Sequence, residues 1–413
     1  MINQTNINRK ILNNGIVVIT TENTVADLVS AKIFLRIGSS YEPRSQAGIS
    51  NLLAAVLTKG TEKLSSLDIA NKIESVGARL GSDITADYFL LSMKTVLEDF
   101  DYIFQLSGEI IRHPSFPEAE IELEKRITIQ SIRAQLEEPF TVAFSQLREM
   151  MYQNHPYALS TLGTENTVSQ ITRYDIQKFY QTYFRPDRIV ISIVGKISNA
   201  KAMDLVEQTY GDWQPPITPI STLNLPTITP QPFTAKKYQA TQQSIIMLGY
   251  LAANVNSPDY APLKLLNTYL GNGLSSRLFV ELREKRGLAY DVSAFYPTRL
   301  YTSNFTVYIG TAAKNTVVAQ AMLKAEIERL VTDLLSEEEL EISKNKLLGQ
   351  YALGKQTNSQ IAQVLGWYEI LNLGIDFDTR FQQNLSTVTA LEAQQVASKY
   401  FIEPYISIVG KEK

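Results

Sequence analysis

The sequence predicts a duplicated α+β protein made of two similar domains. A chain of 413 residues is long enough for two domains. The hexapeptide Ile-Ser-Ile-Val-Gly-Lys at residues 191–196 recurs at residues 406–411, and each copy follows a helical segment that ends in Tyr-Phe. Because the same strand follows the same kind of helix in both halves of the chain, the two halves are expected to share one arrangement of strands and helices.

Composition and charge exclude several classes of protein. Apolar residues make up 44% and charged residues 20% of the chain, which is typical of a globular protein. A net charge of -3 without a concentrated basic stripe argues against a nucleic-acid partner. No apolar run approaches the roughly 20 residues that a membrane-spanning helix needs. The first fifteen residues are polar and lack the hydrophobic stretch of a signal peptide, so the expected compartment is the cytoplasm.

The chain has no cysteine and only two histidines. The absence of cysteine excludes disulfides, zinc–thiolate sites and thiol nucleophiles. His113 and His155 are too far apart in sequence to share one helical turn, and both stand before proline in loop-like surroundings. Each is therefore interpreted as a loop histidine and not as a metal ligand.

The first half alternates between strand and helix patterns. Residues 10–38 are β-branched and predict strands. Between residues 46 and 59 the apolar period becomes helical, which places one apolar stripe on the core side and leaves Asn51, Ala54, Ala55 and Thr58 on the other face. Further helices and strands are predicted, namely a helix at 66–76, strands at 79–94, a long helix that opens in the tract 114–118 and includes Ser131, a helix at 171–183 and a buried strand at 189–195.

Residues 213–235 separate the two halves. They contain six prolines and almost no charge, so they favour neither a helix nor a central strand. We interpret them as an extended, semi-rigid linker. The predicted domains are therefore residues 1–212 and residues 236–413.

The segment at residues 270–290 is the most informative part of the second half. After a Gly-Asn-Gly turn, Leu274, Leu278 and Leu282 recur at helical spacing, and Gly287 stands where a helix-stopping glycine belongs. The residues after it are strand formers. The pattern alone predicts a corner between a helix and a strand, with its charged side chains in water.

The sequence of this segment, LGNGLSSRLFVELREKRGLAY, closely resembles the C-terminal half of M16 (pitrilysin or insulinase-type) metallopeptidases. It is most similar to the M16B group, which includes mitochondrial processing peptidase. The resemblance implies that Arg283 and Tyr290 hold a substrate backbone beside a zinc ion. A guanidinium and a phenol are suitable donors to a peptide carbonyl and to the oxyanion that it becomes.

The zinc motif of the same family is only partly present, because the residues at its two ends match and the metal-binding residues between them do not. Active members read approximately AG-x-x-H-x-x-E-H-x-x-x-KGT, and this chain keeps the opening Ala-Gly and the closing Lys-Gly-Thr. Asn51 and Ala55 stand at the two histidine positions, Ala54 at the glutamate base, and Ser131 at the third ligand, while Glu124 corresponds to a nearby family glutamate. Because alanine offers no lone pair, no zinc is expected in this chain.

The resemblance covers essentially the whole chain and implies its architecture and role. Each domain should be a mostly antiparallel sheet packed against helices, and the two together should form half of a clamshell. The implied function is that of a non-catalytic, substrate-binding subunit, inactive alone, in a heterodimeric M16B zinc metallopeptidase that degrades or processes peptides. The partner would hold the zinc in an intact HxxEH motif and would receive Arg283 and Tyr290. Two alternatives remain: a structural scaffold of the bc1 core-protein type, and a stand-alone peptide-binding protein.

Overall fold

A computed structural model describes residues 7–220 and 222–411. The strands of these ranges are β1 (Ile7–Ile11), β2 (Val17–Glu22), β3 (Leu28–Leu35), β4 (Arg79–Ile84), β5 (Phe89–Val96), β6 (Ile189–Gly195), β7 (Thr234–Tyr238), β8 (Gln243–Ala252), β9 (Asp291–Phe295), β10 (Ser303–Ala312) and β11 (Tyr405–Gly410). The α-helices are α1 (Ile49–Leu57), α2 (Ser66–Glu74), α3 (Leu97–Arg112), α4 (Glu118–Glu137), α5 (Pro139–Tyr152), α6 (Glu165–Gln170), α7 (Arg173–Tyr183), α8 (Asn199–Tyr210), α9 (Tyr260–Gly271), α10 (Thr316–Thr332), α11 (Glu337–Leu353), α12 (Asn358–Ile370), α13 (Phe377–Thr387) and α14 (Ala390–Tyr400).

Two mixed sheets confirm the predicted α+β class and the duplication. The first sheet has the order β1-β2-β6-β3-β5-β4, and the second has the order β7-β11-β8-β10-β9. In each sheet one pair is parallel, β2 with β6 and β7 with β11, and all other pairs are antiparallel. The two copies of Ile-Ser-Ile-Val-Gly form β6 and β11, which hold equivalent places. All seven residues of β6 are buried, as its unbroken apolar run predicts.

The two compact units are not contiguous in sequence. The first consists of residues up to Ile132, residues 160–224 and residues 352–375, and the second consists of residues 133–159, 225–351 and 376–413. Helix α12 comes from the C-terminal half but packs on β3 and β6 of the first sheet, and α5 comes from the N-terminal half but packs on β8 and β11 of the second. The predicted ranges 1–212 and 236–413 do not include this exchange of helices.

The proline-rich stretch has no helix or strand in its described parts, residues 213–220 and 222–233. Its beginning is bound within the first unit, where the Arg185 guanidinium donates to the Thr218 carbonyl at 2.7 Å. Its end is bound within the second unit, where the Gln231 amide donates to the Tyr405 hydroxyl at 2.7 Å. The described parts of the stretch are therefore anchored at both ends. No helix of the described ranges is long and apolar enough to cross a membrane.

Candidate functional site

Helix α1 contains three of the four positions that the resemblance assigns to zinc chemistry. It begins after Gly48, whose φ of +96° favours glycine and whose Cβ would lie 2.5 Å from the Leu162 carbonyl oxygen. The Glu42 carboxylate accepts hydrogen bonds from the Gly48 amide at 2.8 Å, from the Ser50 amide at 2.9 Å and from the Ser50 hydroxyl. A carboxylate at this end of a helix satisfies free amides and faces the positive end of the helix dipole.

Sequence reasoning did not identify Glu42 as the anion that caps α1. Its only signal was an acidic residue shortly before the predicted helix, and six residues separate it from the first amide that it contacts. Burial raises the pKa of the Glu42 carboxyl to about 7, although its hydrogen bonds to Ser50 and Gly48 favour the charged form. Desolvation is therefore the larger of the two effects.

The side chains on α1 cannot provide a metal-binding face. Asn51 and Ala55 are partly exposed, whereas Ala54 is 4% exposed and belongs to the hydrophobic core of the first unit. The Ala54 carbonyl accepts a hydrogen bond from the Ser82 hydroxyl of β4 at 2.6 Å. At the position of the family's base, this chain therefore packs a methyl group into the core.

Helix α4 completes the comparison with the zinc motif. Ser131 is exposed, and its hydroxyl donates to the Ile127 carbonyl of the preceding turn at 3.0 Å. Glu124 forms an ion pair with Lys59 at 3.2 Å, and its side chain is only 13% exposed. The one carboxylate that the pattern retains is thus engaged by the lysine of the Lys-Gly-Thr frame.

These residues do not fit a zinc ion. Zinc sites in proteins use imidazole, thiolate or carboxylate donors, and Asn51, Ala54, Ala55 and Ser131 supply none of them. Within residues 7–220 and 222–411, no group of three or more His, Cys, Asp or Glu side chains could hold a metal ion.

The two histidines have structural positions. His113 follows the last residue of α3. His155 is 3% exposed, and its Nδ1 accepts a hydrogen bond from the Tyr157 amide at 3.1 Å. Burial, together with the nearby Arg299 charge, lowers the His155 pKa to about 4. His155 therefore stays neutral near pH 7 and stabilises a short turn, in agreement with the prediction of a loop histidine.

The segment around Arg283 differs in part from the predicted helix. Leu278 and Leu282 are fully buried, but Leu274 is 74% exposed and lies in the turn before the helix. Residues Phe279–Glu284 form a π-helix, in which the Lys285 amide donates to the Val280 carbonyl at 3.0 Å. Such wide turns are rare and recur at functional sites. We refer to residues 277–290 as the Arg283 turn.

Gly287 ends this helical segment as predicted. Its φ is +61°, and its amide donates to the Arg283 carbonyl at 3.1 Å. Arg283 is exposed, and its guanidinium lies 5.0 Å from the centre of the Phe279 ring. Tyr290 is 57% exposed, and its amide donates to the Gly310 carbonyl of β10 at 2.9 Å. The Arg283 turn therefore presents both side chains to solvent within the second unit.

Comparison with known proteins identifies the class. A model described as "Insulinase (Peptidase family M16)" matches residues 17–165, and one described as "Peptidase M16 inactive domain" matches residues 170–347. The "Uncharacterized zinc protease YmxG" of Bacillus subtilis (strain 168) is 27% identical over 406 residues, which are 97% of each chain. An "Uncharacterized zinc protease" of Rickettsia felis is 25% identical over 370 residues, which are 87% of each chain.

Two solved structures share the fold. The M16 inactive domain from Pseudomonas fluorescens has a TM-score of 0.91 and 22% identity and covers 99% of each chain. A protease from Helicobacter pylori has a TM-score of 0.92 and 21% identity, and it covers 98% of this chain and 99% of that one. These findings define a two-domain protein of the M16 type. The chain belongs to the peptidase M16 family and lacks the family's zinc-binding motif.

Proposed function

We propose that this chain is the non-catalytic, substrate-binding subunit of a heterodimeric M16B zinc peptidase. The observation that carries the proposal is a contrast between the two units. Helix α1 is folded and is followed by the Lys-Gly-Thr sequence, while Asn51, Ala54 and Ala55 stand at the positions that the resemblance assigns to zinc chemistry. On the Arg283 turn, both Arg283 and Tyr290 are present and exposed.

Arg283 and Tyr290 have the chemistry to act on a partner's reaction. Their N–H and O–H groups can donate to the carbonyl oxygen of a bound peptide and to the oxyanion that forms from it. One such donor lowers a barrier by roughly 3 kcal/mol when it is aimed at the developing charge. A subunit without metal can therefore be essential for turnover. The zinc would belong to the partner, an M16 chain with an intact HxxEH motif, and the substrates would be short or unfolded peptides.

The test is a peptidase assay with metal analysis, on this chain alone and mixed with an HxxEH-containing M16 chain of the same organism. We expect neither zinc nor activity in the chain alone, and activity on mixing. Arg283→Ala should lower the turnover of the mixture roughly a hundredfold, since one oxyanion donor is lost. Tyr290→Phe should lower it less, because the ring remains.

The zinc content of the partner should stay unchanged in both variants. Glu284→Gln, a neighbouring exposed residue, is the matched control and should turn over at the wild-type rate. Wild-type turnover by Arg283→Ala would refute the role proposed for the turn. A stable complex without peptidase activity would instead support a scaffold subunit, and a monomer that retains peptides would support a peptide-binding protein.

A further inference from the structure

The Arg283 turn contains four basic side chains, three of which contact carboxylates. Arg277 Nε donates to Glu326 Oε2 at 2.8 Å. Lys285 Nζ donates to Glu281 Oε1 at 2.7 Å, and Arg286 Nη1 donates to Glu281 Oε2 at 2.8 Å. Arg277 Nη1 also lies 3.8 Å from Glu281 Oε1. Glu281 thus gathers the basic residues on both sides of Arg283.

Arg283 lies within the same turn but is engaged differently. In the part of the chain that the structure describes, its guanidinium contacts the Phe279 ring and has no carboxylate partner. An aromatic face holds an arginine in place by a cation–π contact without occupying its N–H donors. Those donors therefore remain available to a ligand.

Glu281 also supports the backbone of the turn. Arg286 Nη1 donates to the Glu281 carbonyl oxygen at 2.7 Å, in addition to its bond with the carboxylate. The Glu281 side chain is only 11% exposed. A carboxylate this buried is costly unless it is paired, so the ion pairs and the π-helical turn depend on each other. The hydrogen bonds from Lys285 and Arg286 hold the Glu281 pKa at about 2, which keeps the carboxylate charged at any pH used for an assay.

We propose that Glu281 is the positioning residue of the Arg283 turn. It engages Lys285 and Arg286 and fixes the turn, so that Arg283 is the guanidinium presented to a peptide carbonyl. Without Glu281, the neighbouring cations would be released, would repel Arg283 and would compete with it for the same ligand oxygen. The identity of that ligand rests on the proposed function. The sorting of the basic side chains, by which Lys285 and Arg286 contact Glu281 while Arg283 contacts the Phe279 ring, is a property of this chain alone.

The sorting can be measured without any partner or activity. Phenylglyoxal, which modifies accessible arginines, is applied to the isolated chain, and modified peptides are quantified by mass spectrometry. We expect Arg283 to react at least fivefold faster than Arg277 and Arg286. In Glu281→Gln, the modification rate of Arg286 should increase towards that of Arg283, because Arg286 loses its charged partner.

Two variants make this experiment decisive. Glu281→Asp keeps the charge and should preserve most of the protection, which distinguishes a lost ion pair from a lost fold. Glu284→Gln, the matched control in the same turn, should leave the pattern of modification unchanged. Equal reactivity of Arg283 and Arg286 in the wild type, or an unchanged pattern in Glu281→Gln, would overturn the proposal.

Turnover of the mixed subunits then tests whether Glu281 acts through Arg283. We expect Glu281→Gln to lower kcat at least tenfold, Glu281→Asp to restore part of it, and Glu281→Gln with Arg283→Ala to match Arg283→Ala alone. Losses that multiply in the double variant would show that Glu281 acts independently of Arg283 and would overturn its positioning role. Wild-type turnover by Arg283→Ala would refute the proposed function, while the modification pattern would still report the sorting.

Discussion

Glu42 allows a quantitative test of how α1 is held in place. Its carboxyl group is buried at the start of the helix, and its pKa is raised from 4.5 to about 7. Because one pKa unit corresponds to about 1.4 kcal/mol, a shift of about 2.5 units corresponds to about 3 kcal/mol of linkage free energy. For a group whose folded pKa is raised, this contribution is fully present below the unfolded pKa of 4.5 and is lost as pH rises through about 7.

The perturbation is Glu42→Gln, which replaces the acid by a neutral group of similar shape. The wild type must hold a buried charge above pH 7, whereas the variant never does. We therefore expect the free energy of unfolding of the variant, relative to the wild type, to increase by about 3 kcal/mol between pH 4.5 and pH 8.5. At pH 4.5 the variant should be slightly less stable, because the Gly48 and Ser50 amides donate to both Glu42 oxygens and the amide nitrogen of glutamine cannot accept a hydrogen bond.

Urea unfolding followed by circular dichroism at several pH values measures this difference. Glu22→Gln is the control, because Glu22 is an exposed acid in the same unit. The free energy of unfolding of this control should change with pH in the same way as that of the wild type. If the pH dependence of Glu42→Gln also ran parallel to that of the wild type, the hydrogen bonds from Gly48 and Ser50 would offset the burial, and the conclusion that desolvation dominates the Glu42 pKa would be wrong.

Two further predictions concern a buried histidine and the packing of α12. The His155 pKa is lowered from 6.5 to about 4 in the folded chain, so the stability that the neutral imidazole contributes is present above pH 6.5 and is lost as pH falls towards 4. His155→Gln should therefore flatten the fall in melting temperature between pH 6.5 and pH 4. An unchanged dependence of the melting temperature on pH would contradict the lowered pKa. Gly366→Ala would place a Cβ 2.2 Å from the Phe34 ring and should destabilise the chain by about 1–3 kcal/mol. Gly349→Ala, with nothing within 4 Å of its Cβ in helix α11, should instead stabilise it by about 0.5–1 kcal/mol in urea unfolding, and equal effects of the two substitutions would refute the packing argument.

Local patterns predicted the elements whose conformation is decided locally. The apolar stripe of α1 is buried as expected, with Leu52 and Val56 fully buried, because a helix turns one face to the core whichever core that is. Gly287 ends its helix because a positive φ is a property of one residue. The repeated hexapeptide predicted two equivalent strands because identical sequences in similar surroundings adopt similar structure.

Features that depend on distant partners could not be predicted in this way. The apolar face of α5 or α12 would look the same whichever sheet it covered, so the exchange of helices leaves no local signal. The π-helix at Phe279–Glu284 contains Glu281, whose contacts with basic residues before and after it are not specified by the apolar pattern. The spacing of Glu281 and Lys285 does indicate a helical ion pair, but a solvated pair and a buried hub share that spacing.

The structure explains how zinc chemistry can be absent from a helix that remains folded. The stability of α1 comes from its buried stripe and the Glu42 cap, while Lys59 joins the residues after the helix to Glu124 of α4. The side chains at positions 51 and 55 take no part in these interactions, and Ala54 adds only its methyl group to the core. Donor side chains at those positions can therefore be replaced at little cost to the fold, and at Ala54 the replacement adds an apolar contact. Arg283 and Tyr290 differ from them, because exposed side chains with few contacts contribute little to stability. Replacing either side chain should therefore leave the fold intact, so the proposed ligand role can be tested by turnover without a change in stability.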